Sequence, residues 1–115
     1  MKKIYFIDQE KFVQDTISSL CKRAEIECYS TDNGENSLYI ISDFAPSVLV
    51  VSQSAVESHK DEFLKTMLDD SVSQIPVVVI LNEGEQLDKD LEKRSSKVLT
   101  RPIVISTFLK DIGIE

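Results

Sequence analysis

The sequence is poor in the residues that build disulfide frameworks and zinc sites. Its 115 residues include two cysteines, one histidine and no tryptophan. The cysteines, Cys21 and Cys28, have neither CxxC spacing nor a second cluster of metal ligands. A disulfide scaffold and a zinc centre are therefore both unsupported, and we expect the two thiols to be small core residues.

Glycine is also scarce, and its positions exclude a common class of ligand. The three glycines are Gly34, Gly84 and Gly113. None of them follows the first apolar run, where dinucleotide-binding and P-loop proteins need backbone amides close to phosphate. The turn at that point, residues 8–10, is Asp-Gln-Glu. An acidic turn repels phosphate unless a cation intervenes.

Clustered positive charge and long apolar runs are absent too. The chain has 13 Lys and Arg against 20 Asp and Glu, a net charge of −7, so the electrostatic signature of a nucleic-acid binder is missing. No apolar run approaches the roughly 18 residues of a membrane-spanning helix. Residues 1–3 lead into a short strand-like run rather than a signal sequence. We expect a cytoplasmic protein that binds neither nucleic acid nor membrane.

The composition that remains is that of one globular domain. A length of 115 residues fits a single domain, here taken as residues 1–115, because it supports one core but not two. The hydrophobic fraction of 42% and the charged fraction of 29% are typical of a folded domain rather than a disordered chain.

Short apolar runs alternate with helical patterns along the chain. Residues 4–7, 48–51 and 77–81 are rich in β-branched side chains, as in strands buried on both faces. The apolar positions of residues 13–24 recur with helical spacing. The other predicted elements are a strand at 26–30, a helix ending near Phe44 before Pro46, a helix carrying Phe63, Leu64, Met67 and Leu68, a weaker helix around Leu87 and Leu91, a strand at Val98 and Leu99, and a last helix with Phe108, Leu109 and Ile112.

Five such alternations predict an α/β fold of the flavodoxin-like (βα)5 type. The expected architecture is a three-layer sandwich around a parallel five-stranded sheet of order 2-1-3-4-5. In such sheets, ligands and chemistry gather beyond the carboxyl ends of strands one and three. The residues at those ends are Asp8, Gln9, Glu10 and Ser52.

Four segments resemble the response-regulator receiver (CheY-like) family. Residues 4–10 (IYFIDQE) resemble its first strand, which ends in paired acids, and residues 45–52 (APSVLVVS) resemble its third strand. Residues 75–81 (IPVVVIL) resemble the fourth strand, and residues 98–102 (VLTRP) the fifth strand with its Lys-Pro. The likeness covers nearly the whole chain.

The resemblance implies a receiver that lacks its phosphoacceptor. The family phosphorylates an aspartate at the end of strand three, beside a magnesium ion held by the acids after strand one. Ser52 stands at the acceptor position, and Gln9 replaces the second acid while Asp8 remains. Because magnesium binds through carboxylates and phosphate, we expect no useful metal affinity. No cofactor and no enzymatic activity are implied.

The family's sensing positions are altered as well. Leu81 stands where a Ser or Thr hydroxyl is expected, and Val98 where the switch aromatic is expected. Arg101 replaces the lysine, with a planar guanidinium in place of a compact ammonium. The resemblance implies a cis bond between Arg101 and Pro102. We expect Arg101 to pair with Asp8 and lock this vestigial phosphorylation pocket; the alternative is that Asp8 and Glu10 only cap the first helix.

A protein-binding surface is what remains of a receiver once the switch is lost. In the family this is usually the face formed by the fourth helix, the fifth strand and the fifth helix. The alternative is that the apolar residues there simply cover the sheet; if exposed, they indicate a signalling partner or self-association. The candidate partner residues are Leu87, Leu91, Ile103, Ile105, Phe108 and Ile112.

The preferred hypothesis is an atypical receiver domain of bacterial two-component signalling that binds proteins independently of phosphorylation. One alternative is a small-ligand-binding or enzymatic domain that uses Asp8, Ser52 and Arg101. As a nucleophile, however, Ser52 would need a partnered base, and His59 is the only histidine. Another alternative is a receiver that still switches through a different acceptor such as Asp61. The sequence leaves open the partner, the oligomeric state and any further domains.

Overall fold

The chain folds around a parallel five-stranded sheet, and the computed structural model describes residues 2–115. Within them the strand order is 2-1-3-4-5 and every neighbouring pair is parallel, which confirms the prediction. Short 3-10 segments lie at Glu57–His59 and Ile105–Thr107. The strands and helices are β1 (Lys3–Ile7), α1 (Lys11–Arg23), β2 (Glu27–Thr31), α2 (Ser37–Phe44), β3 (Val48–Ser52), α3 (Gln53–Val56), α4 (Lys60–Leu68), β4 (Val77–Leu81), α5 (Lys89–Arg94), β5 (Lys97–Thr100) and α6 (Phe108–Asp111).

Two cores lie on opposite faces of the sheet, because successive strand residues point to opposite sides. In β1, Tyr5 and Ile7 join the core covered by α2, α4 and α5. Ile4 and Phe6 join the core covered by α1 and α6. Every residue of β3 and β4 is buried, which explains their unbroken apolar runs. This arrangement is the predicted three-layer sandwich.

Two helices differ from the prediction. Helix α3 begins directly after β3 and was not predicted, because four residues are too few to show a helical period. Helix α5 begins at Lys89, so Leu87 lies in the preceding loop. The Asp88 side chain accepts the backbone N–H groups of Asp90 and Leu91, and this capping fixes the start of the helix.

Gly34 is required at the turn before α2. Its φ is +73°, a conformation that side chains rarely adopt. A Cβ atom at this position would also lie 2.6 Å from Cδ1 of Ile7. The Ser37 hydroxyl donates to the Gly34 carbonyl and lies 2.9 Å from the Tyr5 hydroxyl. Burial raises the pKa of the Tyr5 phenol above its ordinary value.

Three predicted partner residues are core residues, so the prediction is wrong for them. Leu91, Phe108 and Ile112 expose 2%, 0% and 5% of their surface. Leu91 closes the core under α5, and the other two close the opposite core under α6. The apolar surplus near the C-terminus therefore mostly covers the sheet.

The remaining three predicted partner residues lie at the edges of the cores. Leu87 is partly buried against the core under α5. Ile103 and Ile105 are partly buried against the core under α6 and keep part of their surface open. Of the six predicted partner residues, these three are the ones that are not buried.

The cysteines occupy the predicted kind of position. Cys21 is fully buried, and Cys28 is half-buried against the same core. Both are free thiols. No helix within residues 2–115 is long and apolar enough to cross a membrane.

Candidate functional site

Three side chains from different parts of the chain meet at the carboxyl edge of the sheet. Asp8 follows β1, Ser52 ends β3 and Arg101 follows β5. Nη2 of Arg101 donates both to Oδ2 of Asp8 and, over 3.2 Å, to Oγ of Ser52. The Asp8 and Arg101 side chains expose 1% and 18% of their surface. The predicted Asp8–Arg101 pair is therefore confirmed, in a position largely withdrawn from water.

Asp8 has further contacts that anchor the start of α1. Its Oδ1 accepts the backbone N–H of Glu10 at 2.9 Å. The buried Gln14 amide donates to the Asp8 carbonyl at 2.6 Å and to Oδ1 of Asp32 at 2.8 Å. The Glu10 side chain makes no capping hydrogen bond, and Asp8 contacts the start of α1 in addition to its pair with Arg101, so the alternative that the two acids only cap the helix is wrong.

The residues at this edge do not fit a magnesium ion. Both carboxylate oxygens of Asp8 already accept hydrogen bonds, one of them from a cation. The exposed Gln9 amide donates to the Ser54 carbonyl at 3.1 Å, and Ser52 offers only a hydroxyl. Among residues 2–115, no three His, Cys, Asp or Glu side chains form a group that could hold a metal.

Leu81 and Val98 lie where the sequence placed them, on neighbouring strands. Leu81 ends β4 and is buried, while Val98 lies in β5 with 37% of its surface exposed. Neither side chain has a polar atom. A group bound near Ser52 would therefore find no hydroxyl and no aromatic ring at these two positions.

Arg101 also attaches the end of β5 to β4 and to the loop that follows it. Its backbone N–H donates to the Leu81 carbonyl at 2.8 Å. Its Nε donates to Oδ1 of Asn82 at 2.9 Å. The peptide bond to Pro102 is cis, as predicted. One guanidinium thus contacts Asp8, Ser52 and Asn82.

The loop of residues 82–88 is held by a side chain that the sequence did not single out. Gln53 follows Ser52 and exposes only 6% of its surface. Its Nε2 donates to the Gln86 carbonyl at 2.9 Å and to Oε2 of Glu85 at 3.3 Å. Its Oε1 accepts the backbone N–H of Asp88 at 2.8 Å.

These contacts continue to the start of two helices. Oε1 of Glu85 accepts the backbone N–H of Asn82 at 2.9 Å. Asp88, which caps α5, is 2.9 Å from Nζ of Lys60 at the start of α4. The hydrogen bond from Lys60 is the main cause that lowers the pKa of Asp88, and the same bond raises the pKa of Lys60. We call the connected set the strand-end network: Asp8, Ser52, Arg101, Asn82, Glu85, Gln53, Asp88 and Lys60.

Ser52 has no general base among its contacts. Besides Arg101, its hydroxyl lies 3.2 Å from Oγ of Ser54. Nδ1 of His59 faces Ser58 at 3.3 Å, and the imidazole lines a cleft between α2 and α4. Asp61, the alternative acceptor, is exposed in the first turn of α4. Neither residue is a hydrogen-bond partner of Ser52, whose hydroxyl contacts Ser54 and Arg101.

An apolar groove lies beside the network, between α1 and the segment after β5. Its volume is about 430 Å³. Phe12 at one edge exposes 81% of its surface, and Val104 nearby exposes 55%. The acidic Glu10 and Glu83 are exposed at its rim, and Thr16 also lines it. We call this the α1 groove; its apolar lining is Phe12, Val13, Pro102, Ile103 and Ile105.

Comparisons with known proteins identify the fold. No family model matches the sequence, and no curated protein matches it. A CheY-like receiver domain protein from Methanospirillum hungatei matches with a TM-score of 0.80 and 15% identity, over 96% of this chain and 90% of that one. The Francisella response regulator 1452 receiver domain gives 0.78 and 19%, over 99% and 95%. A receiver-modulated diguanylate cyclase from Pelobacter carbinolicus gives 0.77 and 19%, over 99% and 91%. The chain therefore has the fold of CheY-like response-regulator receiver domains.

Proposed function

We propose that this chain is an atypical, cytoplasmic receiver domain that binds other proteins independently of phosphorylation. The observation that carries the proposal is the contact of Arg101 with Asp8 and Ser52 at the carboxyl edge of the sheet. The pocket that a receiver would use for phosphotransfer is already filled by the protein's own ion pair. Under this proposal the domain acts by binding and not by catalysis, and it uses no cofactor.

The chemistry of the pocket supports this proposal over phosphotransfer at Ser52. A conventional acceptor is a carboxylate beside a metal ion, whereas Ser52 is a hydroxyl that contacts a guanidinium. Binding a metal at Asp8 would displace a donor that one of its carboxylate oxygens already accepts, either the Glu10 amide or the Arg101 guanidinium.

The direct test is the intact mass of the protein after incubation with acetyl phosphate and magnesium. We expect no species heavier by one phosphoryl group, while a conventional receiver in the same buffer gains one. A titration with beryllofluoride, followed by NMR, should leave the amide signals of Asp8, Ser52 and Arg101 unmoved. A phosphorylated species would contradict the proposal, and mapping it to Ser52, Asp8 or Asp61 would identify the acceptor.

An NMR titration with phosphate and small carboxylates distinguishes a protein-binding module from a small-ligand site. A ligand of this pocket would have to compete with Asp8 for the Arg101 guanidinium. We expect phosphate and small carboxylates to leave the Arg101 side-chain signals unchanged at millimolar concentration. Saturable shifts confined to this pocket would favour the ligand-binding hypothesis instead.

The α1 groove is the surface that we propose for the partner. The groove combines an open aromatic side chain, Phe12, with apolar neighbours that are only partly buried, so a partner could bury them further. The rim carries Glu10 and Glu83, and Arg101, the cation in the groove lining, is paired with Asp8. A protein segment with an apolar ridge and flanking Lys or Arg complements this groove in both shape and charge.

Quantitative mass spectrometry of proteins captured by the domain tests this surface. Phe12→Ser removes the exposed aromatic at the groove, whereas Tyr39→Ser removes an equally exposed one on α2, with 81% and 80% of their surfaces exposed. We expect specific partners to be retained by Tyr39→Ser and lost by Phe12→Ser. Equal capture by both variants would exclude the groove, and concentration-dependent dimerisation lost in Phe12→Ser would assign it to self-association.

A further inference from the structure

The loop of residues 82–88 connects the strand-end network to the α1 groove. Asn82 at its start binds Arg101, and Asp88 at its end caps α5. Glu83, between them, lies at the groove rim. The conformation of this loop therefore decides where one acidic rim residue and the first turn of α5 are located.

The Gln53 side chain makes three hydrogen bonds to the loop of residues 82–88. Its amide uses both donor and acceptor: Nε2 donates to the Gln86 carbonyl and to Glu85, and Oε1 accepts the Asp88 N–H. Because Gln53 exposes only 6% of its surface, water cannot readily replace these partners. The loop is held at three points by one buried amide.

The position of Gln53 in the chain explains why its contacts can hold the loop in place. It follows Ser52, the last residue of β3, and is the first residue of α3. Its backbone is therefore fixed by a fully buried strand on one side and a helix on the other. Because its backbone is fixed, the Gln53 side chain can hold the loop of residues 82–88, most of which is exposed, in place.

We propose that Gln53 is a built-in latch that holds the 82–88 loop in a single conformation without any phosphoryl group. It is a positioning residue: it fixes the Asp88 cap of α5 and, through the loop, Glu83 at the groove. The holding of the loop is independent of the proposed function, whereas its consequence for partner binding rests on that function.

Amide hydrogen exchange measured by NMR tests the latch. Gln53→Met keeps the length of the side chain and removes both hydrogen-bonding groups. We expect exchange of the Asp88 amide to accelerate roughly tenfold, because its acceptor is lost. The Val79 amide, in the buried strand β4, should be unchanged, and Gln74→Met, an exposed glutamine to methionine change, should match wild type at both positions. Unchanged Asp88 exchange, or equal acceleration at Val79, would contradict the latch.

A double substitution distinguishes hydrogen bonding by the Gln53 side chain from simple packing of that side chain. Gln53→Glu places a second carboxylate opposite Glu85. Oε1 of Glu85 accepts the backbone N–H of Asn82, so we expect repulsion between the two carboxylates to weaken this bond and the Asn82 backbone amide to exchange faster. Adding Glu85→Gln lets the residue at position 85 donate to the carboxylate at position 53 while its own oxygen accepts the backbone N–H of Asn82. The Gln86 carbonyl lacks its donor in both variants, so Asn82 exchange in the double variant should be slower than in Gln53→Glu without reaching the wild-type rate. Exchange as fast as in the single variant would overturn the holding of the loop through Glu85.

The effect of Gln53 on partner binding is measured separately, by the capture experiment. If both proposals hold, Gln53→Met weakens capture of the partners that depend on Phe12, although it lies outside the groove. If Asp88 exchange accelerates while no partner depends on Phe12, the latch stands and the proposed binding surface fails. Partners that depend on Phe12 but bind Gln53→Met as well as wild type would overturn the link between latch and groove.

Discussion

The carboxyl edge of the sheet has two neighbouring regions with opposite properties. In the strand-end network the polar side chains pair with one another, so the ion pair of Asp8 and Arg101 is satisfied internally. In the α1 groove the side chains are mainly apolar, and Phe12 lies open to solvent. Chemistry requires polar groups that a substrate can reach, and the network offers few. Recognition of a protein requires apolar surface that can still be buried, and the groove provides it.

Removal of the carboxylate at the centre of the network should give the largest effect on stability. Asp8→Ala leaves the mostly buried Arg101 guanidinium without its anion, and the Glu10 amide without its acceptor. We expect a loss of about 3 kcal/mol in the free energy of unfolding. Urea denaturation followed by circular dichroism measures it. A variant more stable than wild type would show that the pair does not lock the pocket.

A smaller effect is expected at the far end of the network, where Asp88 meets Lys60. Asp88→Ala removes the cap of α5 and should lower the free energy of unfolding by about 1 kcal/mol at neutral pH. Asp88→Asn keeps a capping side chain and loses the charge.

The contribution of Asp88 to the free energy of unfolding depends on pH. Because the folded pKa of Asp88 lies below its unfolded value, its charge stabilises the fold above a pH of about 4. That contribution is lost as the pH falls from there through the lowered folded pKa. We expect the gap in urea midpoint between wild type and Asp88→Asn to close over this range. A gap that is constant from neutral to acid pH would contradict the role given to the Lys60 contact.

The groove should respond least of all in stability. Phe12→Ser changes a side chain with 81% of its surface exposed, so we expect the free energy of unfolding to stay within about 0.5 kcal/mol of wild type. Thermal unfolding by calorimetry, with Tyr39→Ser alongside, checks this expectation. A large loss would mean that Phe12 supports the fold, and the contrast between network and groove would then disappear.

The sequence predicted the parts of this site that follow from strand order. Asp8, Ser52 and Arg101 each lie at the end of a strand, so the topology alone brings them to one edge. Gln53 and Asn82 also follow strands and could have been flagged by that signal. Their partners could not, because those depend on how residues 82–88 fold back.

The groove was harder to predict, for a different physical reason. The helical spacing of residues 13–24 leaves Phe12 outside the buried stripe, which was a usable signal for an exposed aromatic. Phe108 and Ile112 were wrongly assigned to the surface because an apolar count does not distinguish a residue that covers a sheet from one that faces a partner. Only the packing of α6 on the sheet decides it.

The fork of Arg101 also bears on what a single substitution at Ser52 could change. A guanidinium offers several donors in one plane, and here one nitrogen serves both Asp8 and Ser52. An aspartate introduced at position 52 would meet a cation that already binds one carboxylate, so the two acids would share Arg101. If the proposed function holds, installing phosphotransfer would require coordinated changes at Ser52, Gln9 and Arg101, and the effect of each substitution would depend on the other two.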